Sequence, residues 1–484
     1  MVNIFRISVF AWLTVVGAAA FAEETDAGVR IPPKPAASDG QIVVFEDRVT
    51  GPVRIMNAVN GAPAEVGTEN FAAWRAAEIP FARTHDLSLV TSYGGPHAVD
   101  ITCIFTNFEA DVENPASYDF ANTDVIVERI QKAGTKVFYR LGQSIESPFV
   151  HKYGVVPPRD FGKWARIAEH IIAHYTEGWA DGFRYDIAYW EIWNEPDLGT
   201  ATPDECRFSP TWTGTRDQFK AFWKTAQRHL KARFPHLRIG GPALTGATAA
   251  TWGLDVMREF AAEKIPVDFY SWHGYAADPS KWMQGARTIR KTLDELGYVK
   301  CESIYNEWNY MKDWGRNHAY SMEVESGRYN QKGAAFTAAM MNVAHREPID
   351  MLMYYDARLH GMNGMFDPVT QLPMRGYYTF YAWSRLRKLG TAIAATSDLA
   401  DVTVTAARGA GGRLGAFIVR YDEDNNVTHP VRVTIRRASG KSLAGVTCHL
   451  TDDVRLYTEV PPEANADGSV DFVLRPCSFA YLEL

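Results

Sequence analysis

Between residues 53 and 357, short apolar runs alternate with helical patterns, and this repetition limits the fold more than any other feature of the chain. Eight runs read as strands: Val53–Ala58, Phe81–Asp86, Lys136–Gly142, Tyr189–Glu195, Arg238–Ala243, Asp268–Tyr275, Ser303–Asn309 and Met351–Ala357. Amphipathic stretches lie between most of them, among them Asn122–Ala133, Arg159–Tyr175, Thr215–Phe234, Thr251–Glu263, Pro279–Gly297 and Lys332–Arg346. Apolar strands separated by helices pair in parallel and are covered on both faces. Eight of them is the number that closes a (β/α)8 TIM barrel, an α/β fold. An open doubly wound sheet would share the alternation, but no Gly-rich phosphate loop follows any of these strands.

A helix over Tyr377–Lys388 is expected to close the barrel. After Gly390 the pattern changes to alternating apolar and polar residues with turn signals between the runs. Asp401–Ala407, Arg413–Tyr421, Pro430–Arg437, Thr447–Asp452 and Val470–Leu474 predict a C-terminal antiparallel β-sandwich domain. The early strand Gln41–Arg48 has no place in a barrel and is expected to join it. The predicted organisation is a signal peptide over 1–22, a linker over 23–40 and a strand over 41–50. The catalytic barrel occupies 51–389 and the β-sandwich 390–484.

The signal peptide is read from Arg6, an apolar run from Ile7 to Ala20, and the Ala20-Phe21-Ala22 step before Glu23-Glu24. It predicts a secreted or periplasmic protein. No later stretch has the length and apolarity of a membrane span, so no membrane anchor is expected. Export permits disulfides. The five cysteines (Cys103, Cys206, Cys301, Cys448 and Cys477) are odd in number and lack a C-x-x-C pattern. Cys448 and Cys477 fall in one region and could pair; five reduced, mostly buried thiols is the alternative. Lys plus Arg total 50 against 57 for Asp plus Glu, a formal charge of −7. That excludes the basic field that nucleic-acid binding requires.

Barrel enzymes carry their chemistry at the C-terminal ends of the strands. The fourth strand ends in Trp190-Glu191-Ile192-Trp193-Asn194-Glu195-Pro196-Asp197, and the seventh in Ile304-Tyr305-Asn306-Glu307-Trp308-Asn309. Each places a Glu at the barrel mouth after an Asn. Two carboxylates converging from opposite walls suit glycosidic-bond cleavage, with one protonated acid and one ionised partner facing the anomeric carbon. A carbohydrate is therefore the expected partner. The histidines His85, His97, His151 and His273 show no H-x-x-x-H helical spacing and no Cys partner. No metal or other cofactor is expected.

Trp-Asn-Glu-Pro on the fourth strand, with a Glu ending the seventh, resembles the retaining glycoside hydrolases of clan GH-A. Arg83-Thr84-His85 on the second strand, His273-Gly274-Tyr275 on the sixth and the trailing β-sandwich are most similar to family 39, which contains β-xylosidases and α-L-iduronidases. The resemblance spans about residues 41–484. It implies that Glu195 is the acid/base and Glu307 the nucleophile. Burial beside apolar neighbours would raise the pKa of Glu195, whereas Arg83 and Tyr275 would keep Glu307 ionised. Arg83 is placed in the catalytic neighbourhood, and could also be a structural partner of Glu191. Asn194 is expected to donate to the sugar hydroxyl beside the anomeric carbon, and His85 and His273 to bind other hydroxyls. Trp308 is expected at the substrate, while Trp193, Trp272 and Trp314 could stack on sugar or pack in the core. Asp356 is a candidate lip residue, and Met362–Met365 with Phe366 a candidate rim.

The expected function is a secreted retaining glycosidase, exo-acting and β-xylosidase-like. A uronic-acid glycosidase would need a cation such as Lys152, Arg159 or Arg207 to hold the substrate carboxylate. An endo-acting exopolysaccharide hydrolase of the same clan is also open. A non-catalytic carbohydrate-binding protein on a barrel scaffold is the alternative of another class.

Overall fold

A computed structural model describes residues 39–87, 97–146, 151–199, 209–247, 250–314 and 327–484. The predicted signal peptide, nearly all of the linker, Cys206 and Arg207 lie outside the described residues. The chain divides into Met1–Ala37 and Ser38–Leu484, and the barrel and the C-terminal sheet both belong to the second unit. No helix among the described residues is long and apolar enough to cross a membrane.

A first strand, β1 (Gly40–Pro52), precedes the barrel. The barrel strands are β2 (Ile55–Asn60), β3 (Phe81–Arg83), β4 (Lys136–Leu141), β5 (Tyr189–Ile192), β6 (Arg238–Leu244), β7 (Phe269–His273), β8 (Glu302–Trp308) and β9 (Met351–Tyr354). They pair in parallel in chain order, and β9 returns to β2 to close the ring. Closure excludes the open sheet. Several of the helices between them start at side-chain caps. Asp160 accepts from the Lys163 amide at 2.9 Å, and Thr215 with Gln218 forms a capping box.

Strand alternation sorts the barrel into layers. The lower interior holds Ala58, Phe138, Tyr189, Phe269, Ile304, Met351 and Met353, an apolar plug. Two residues further along the same strands, the inward positions are polar: Asn60, Arg140, Glu191, Ser271 and Asn306, joined by Arg83 from β3, all fully buried. The intervening residues, such as Trp190, Ile192, Tyr270, Trp272 and Tyr305, face the helices and form the main apolar core. The apolar plug therefore supports a polar layer, and the reactive groups stand on that layer.

The remaining strands are β10 (Thr391–Ser397), β11 (Val402–Arg408), β12 (Leu414–Arg420), β13 (Val431–Arg437), β14 (Thr447–Thr451), β15 (Thr458–Glu459), β16 (Glu463–Ala464), β17 (Val470–Leu474) and β18 (Ser478–Glu483). With β1 they form one ten-stranded sheet in the order β15-β14-β18-β12-β11-β10-β1-β13-β17-β16. Its pairs are antiparallel except β1 with β13. The sheet wraps around a core that includes Ile42, Val44, Ile393, Ile418, Val433, Leu450 and Leu482. It meets the barrel through Trp383 against Phe417, ring centroids 5.8 Å apart, and through the Tyr421 hydroxyl donating to the Ala277 carbonyl at 2.7 Å. Cys103, Cys301, Cys448 and Cys477 are free thiols, so Cys448 and Cys477 do not pair.

Candidate active site

The turn after β5 carries Asn194 and Glu195 and is held in an unusual conformation. Trp193 and Glu195 both have positive φ, 76° and 45°. Such angles are costly for residues with a Cβ and persist only where the surroundings impose them. Here the Glu195 amide donates to the Ala243 carbonyl at 2.8 Å, the Thr211 hydroxyl donates to the Glu195 carbonyl, and the Trp193 indole donates to the Thr211 carbonyl at 2.8 Å. Gly142, at φ 128°, lets β4 pass close to this turn. A Cβ there would stand 2.9 Å from the Trp193 ring.

Glu307 reaches the site through a break in strand register. The pairing of β7 with β8 shifts between Trp272 and His273, and that of β8 with β9 shifts between Tyr305 and Trp308. A local irregularity of this kind re-aims side chains. Asn306 consequently joins the buried polar layer, donating to Glu191 Oε1 at 2.6 Å, while the next residue, Glu307, stands above it.

Arg83 ties these parts together. Its Nε donates to Glu191 Oε2 at 2.6 Å, Nη1 to Glu307 Oε1 at 2.7 Å and to Asn60 Oδ1 at 3.0 Å, and Nη2 to Asn194 Oδ1 at 2.6 Å. The structural and the catalytic placement of Arg83 thus both hold. Glu191 also accepts from Ser271 Oγ at 2.6 Å, so this buried carboxylate is fully engaged. Because the Asn194 oxygen is taken by Arg83, its amide NH2 is the end left to donate.

Tyr275 donates to Glu307 Oε2 at 2.9 Å. His273 Nδ1 lies 2.6 Å from Glu195 Oε1 and 3.4 Å from Glu307 Oε2. On the other side, Arg140 Nε donates to His85 Nδ1 at 3.2 Å. The His85 proton must then sit on Nε2, which faces Asp86 Oδ1 at 3.4 Å and Glu307 Oε1 at 3.6 Å. One ligand-type atom from each of Glu195, His273 and Glu307 lies within 4.8 Å of the other two.

Burial pushes the Glu195 carboxyl up to about 8, reinforced by the nearby Asp197 and opposed by Arg83. Burial also raises Glu307, to about 7, against the pull of the basic groups around it. This corrects the expectation that Arg83 and Tyr275 would hold Glu307 low: desolvation outweighs them. Burial carries His273 down to about 4, so its imidazole is neutral near pH 7. The cation acting on Glu307 there is therefore Arg83. Glu307 accepts from both Arg83 and Tyr275 whereas Glu195 accepts from neither, which favours ionisation of Glu307 before Glu195.

Trp308 does not belong to the site. As the neighbour of Glu307 along the strand it faces the other way, is fully buried, and packs on Tyr354 and Phe336 with ring centroids 5.3 and 6.3 Å apart. Trp193 and Trp272 are likewise core residues, the first against Trp212 and the second stacked on Tyr305. Trp314 stays exposed and meets Tyr275 edge-on at 5.0 Å, at the rim. Asp356 is buried and paired with Arg358 at 2.6 Å, and Met365 with Phe366 is fully buried, so neither forms an open lip. Arg159 pairs with Glu109 at 2.8 Å.

The sequence reading passed over a second buried network behind His85. Arg140 also donates to Asp100 Oδ1 at 2.7 Å, His97 Nδ1 lies 3.3 Å from Asp86 Oδ1, and the Tyr355 hydroxyl donates to Asp86 Oδ2. Arg140 carried a usable signal: a cation two residues after Phe138, on the inward parity of an apolar strand.

Among the described residues, Glu195, His273 and Glu307 form the one cluster spaced to hold a cation. Arg83 and Tyr275 already engage both oxygens of Glu307, and His273 engages Glu195. The facing atoms of the three residues are thus engaged by protein groups, an arrangement suited to paired carboxyls.

A model described as glycosyl hydrolases family 39 matches residues 87–322. A beta-xylosidase from Geobacillus stearothermophilus is 30% identical over 265 residues, covering 47% of this chain and 49% of that protein. A beta-xylosidase from Caldicellulosiruptor saccharolyticus is 25% identical over 217 residues, covering 40% of this chain and 41% of its own. The chain thus matches about half the length, or less, of these curated relatives. Among solved structures, a glucosidase from Croceicoccus marinus superposes with a TM-score of 0.71 at 19% identity, covering 92% of this chain and 99% of that one. These findings bear out the resemblance to the family 39 glycosyl hydrolases, and the likeness to the solved structure shows the barrel with its C-terminal β domain.

Proposed function

Starting from a chain most like the family 39 glycosyl hydrolases, we propose that it is a retaining glycosidase with Glu195 as acid/base and Glu307 as nucleophile. The observation that carries this reading is the spacing of the two carboxyls, with an oxygen of each within 4.8 Å of the other. Retaining enzymes hold their carboxyls about 5–5.5 Å apart, whereas inverting ones leave about 6.5–9.5 Å for a water.

The surroundings support the division of roles. Glu195, pushed up to about 8, carries a proton at neutral pH and gives it to the leaving glycosidic oxygen. The ionised carboxylate of Glu307, oriented by Arg83 and Tyr275, attacks the anomeric carbon as that bond breaks, forming a glycosyl ester. Glu195, now ionised, takes a proton from a water that attacks the same carbon from the side the leaving group vacated. The ester bond breaks, Glu307 leaves as carboxylate, and the sugar is released with its configuration retained. The Asn194 amide donates to the neighbouring hydroxyl, where the bond strengthens as positive charge develops on the ring. Arg83 holds both Asn194 and Glu307, so one side chain sets the donor and the nucleophile in register.

The beta-xylosidase relatives support a β-xyloside as substrate, cleaved from a chain end, and the Ala20-Phe21-Ala22 segment supports export. The testing experiment is a hydrolysis screen of the purified protein against aryl glycosides, with β-xylosides, α-L-arabinosides, β-glucosides, β-galactosides and uronides represented. Turnover of β-xylosides that disappears in Glu307→Ala is the expected result. Wild-type rates in Glu307→Ala would remove the nucleophile assignment, and the absence of turnover on every glycoside would remove the glycosidase reading.

A further inference from the structure

A groove of about 540 Å³ is lined by none of the residues of the site, and the chemistry proposed above makes no use of it. Its walls come from the loops that follow β3 and β4, so it lies on the face of the barrel that bears the carboxyls. Phe105 and Phe108 stand on one wall and Tyr153 on the other, and Gln143, Thr102 and Trp164 are also in the lining.

The groove is built by specific contacts. The amides of Tyr153 and Gly154 donate to the Glu146 carboxylate at 2.8 and 2.7 Å, which anchors these two residues. Arg159 pairs with Glu109 at 2.8 Å, and Lys163 Nζ donates to the Ala110 carbonyl at 2.8 Å, joining the two walls at one end. Gly154 lies so close to Gln143 that a Cβ would stand 2.2 Å from its amide nitrogen. This scaffold holds the Tyr153 ring 70% exposed. An aromatic face kept in water above a polar floor suits a pyranose, whose C–H face covers the ring while its hydroxyls meet donors and acceptors. The floor supplies these through Thr102, a partly exposed hydroxyl that the buried Gln143 amide holds in place.

Two chains of contact join the groove to the catalytic centre. Gln143 is followed by Ser144, which shares Asp100 with Arg140, and Arg140 holds His85, 3.6 Å from Glu307. On the other side Trp164 approaches Trp193, ring centroids 6.3 Å apart, immediately before Asn194 and Glu195. The groove's two cations, Arg159 and Lys152, are matched by two carboxylates, Glu109 paired with Arg159 and Glu146 on the wall that carries Lys152, so the groove offers an anionic sugar no net positive charge.

We propose that this groove binds further units of a neutral glycan chain whose terminal sugar occupies the carboxyl site, making the protein selective for chains over short glycosides. The inference rests on the glycosidase reading, and its test separates the two. Tyr153→Ala is compared with wild type on an aryl β-xyloside and on xylohexaose, with Tyr153→Phe as the conservative control. The expected result is an unchanged kcat/KM on the aryl glycoside, a KM for xylohexaose raised about three- to tenfold, and full recovery in Tyr153→Phe. Equal loss on both substrates, or no change on xylohexaose, overturns the groove assignment and leaves the glycosidase standing. Binding is also read without turnover, by retardation of full-length Glu307→Gln in gels containing soluble xylan, glucomannan or galactomannan. Retardation by at least one of them, lost on adding Tyr153→Ala, supports the groove even if the hydrolytic reading fails. Retardation by none, or retardation that Tyr153→Ala leaves intact, overturns it.

Discussion

Replacing Tyr275 by Phe deletes one oxygen and leaves the ring that packs against Trp314 and Tyr355. That oxygen donates to Glu307 Oε2 at 2.9 Å, and burial holds its own proton well above the usual tyrosine range, so it remains a donor across the working pH. A hydrogen bond to a charged group contributes about 1.5–3 kcal/mol net. The bond favours the ionised form of Glu307, so its loss must raise the pKa. At about 1.4 kcal/mol per pH unit the rise is about 1–2 units, from about 7 to about 8–9. The acidic limb of kcat/KM then moves into the alkaline limb set by Glu195 at about 8. At pH 7 the fraction with Glu307 ionised and Glu195 protonated falls about five- to fiftyfold. The two carboxyls are coupled, so the limbs report the pair rather than either residue. The assay is kcat/KM from pH 4 to 10 on the aryl glycoside the protein hydrolyses best. A narrowed bell displaced upward is expected. A profile that overlays the wild type would show that Tyr275 does not act on the ionisation of Glu307.

Three other perturbations probe the same geometry. Glu195→Gln should gain stability relative to wild type as pH rises. The folded pKa of Glu195 is raised to about 8, so its favourable contribution is complete below the unfolded value of about 4.5 and is lost up to about pH 8. The difference in Tm between variant and wild type should therefore widen from pH 5 to 8 and then level; a constant difference contradicts the assignment. Arg83→Met strands Glu191 and Glu307 without their shared cation and should cost about 3–5 kcal/mol in urea denaturation; a loss below about 1 kcal/mol would count against the network. Trp308→Ala should cost about 3–5 kcal/mol by opening the layer between β9 and the helix Gln331–His345, with KM unchanged for the folded fraction; an increased KM at unchanged stability would return Trp308 to the substrate.

Much of this arrangement was legible in the sequence because it depends on strand period and strand ends. All eight barrel strands fall within a few residues of their predicted positions, and Glu195 and Glu307 converge as their places at two strand ends require. The failures have physical causes. Trp308 comes directly after Glu307 in the chain, and strand alternation sends neighbours to opposite faces, so proximity in sequence was misleading there. The register shifts around β8 allow Asn306 and Glu307 to serve adjoining layers, and such irregularities have no simple composition signal. The protonation of Glu307 depends on how completely the barrel buries it, a property of packing rather than of the Arg and Tyr beside it. The strands β10 and β18 and the helix Glu69–Ala77 went unread because their patterns are weak: β10 is mostly Ala and Thr, and β18 is nearly all buried and so lacks alternation. The Asp86, His97 and Arg140 network joins β4 to the loop after β3, contacts that only the closed barrel creates.

The mechanism stands on a covalent intermediate at Glu307, and trapping that intermediate tests it without further steps. A 2-deoxy-2-fluoro sugar with a dinitrophenolate leaving group slows the second step more than the first and should accumulate the glycosyl enzyme. Intact-mass analysis should show one added glycosyl unit, and peptide mapping should place it on Glu307, with no label in Glu307→Ala. Label on any other residue, or turnover of that reagent to a sugar of inverted configuration with no label, would contradict the mechanism.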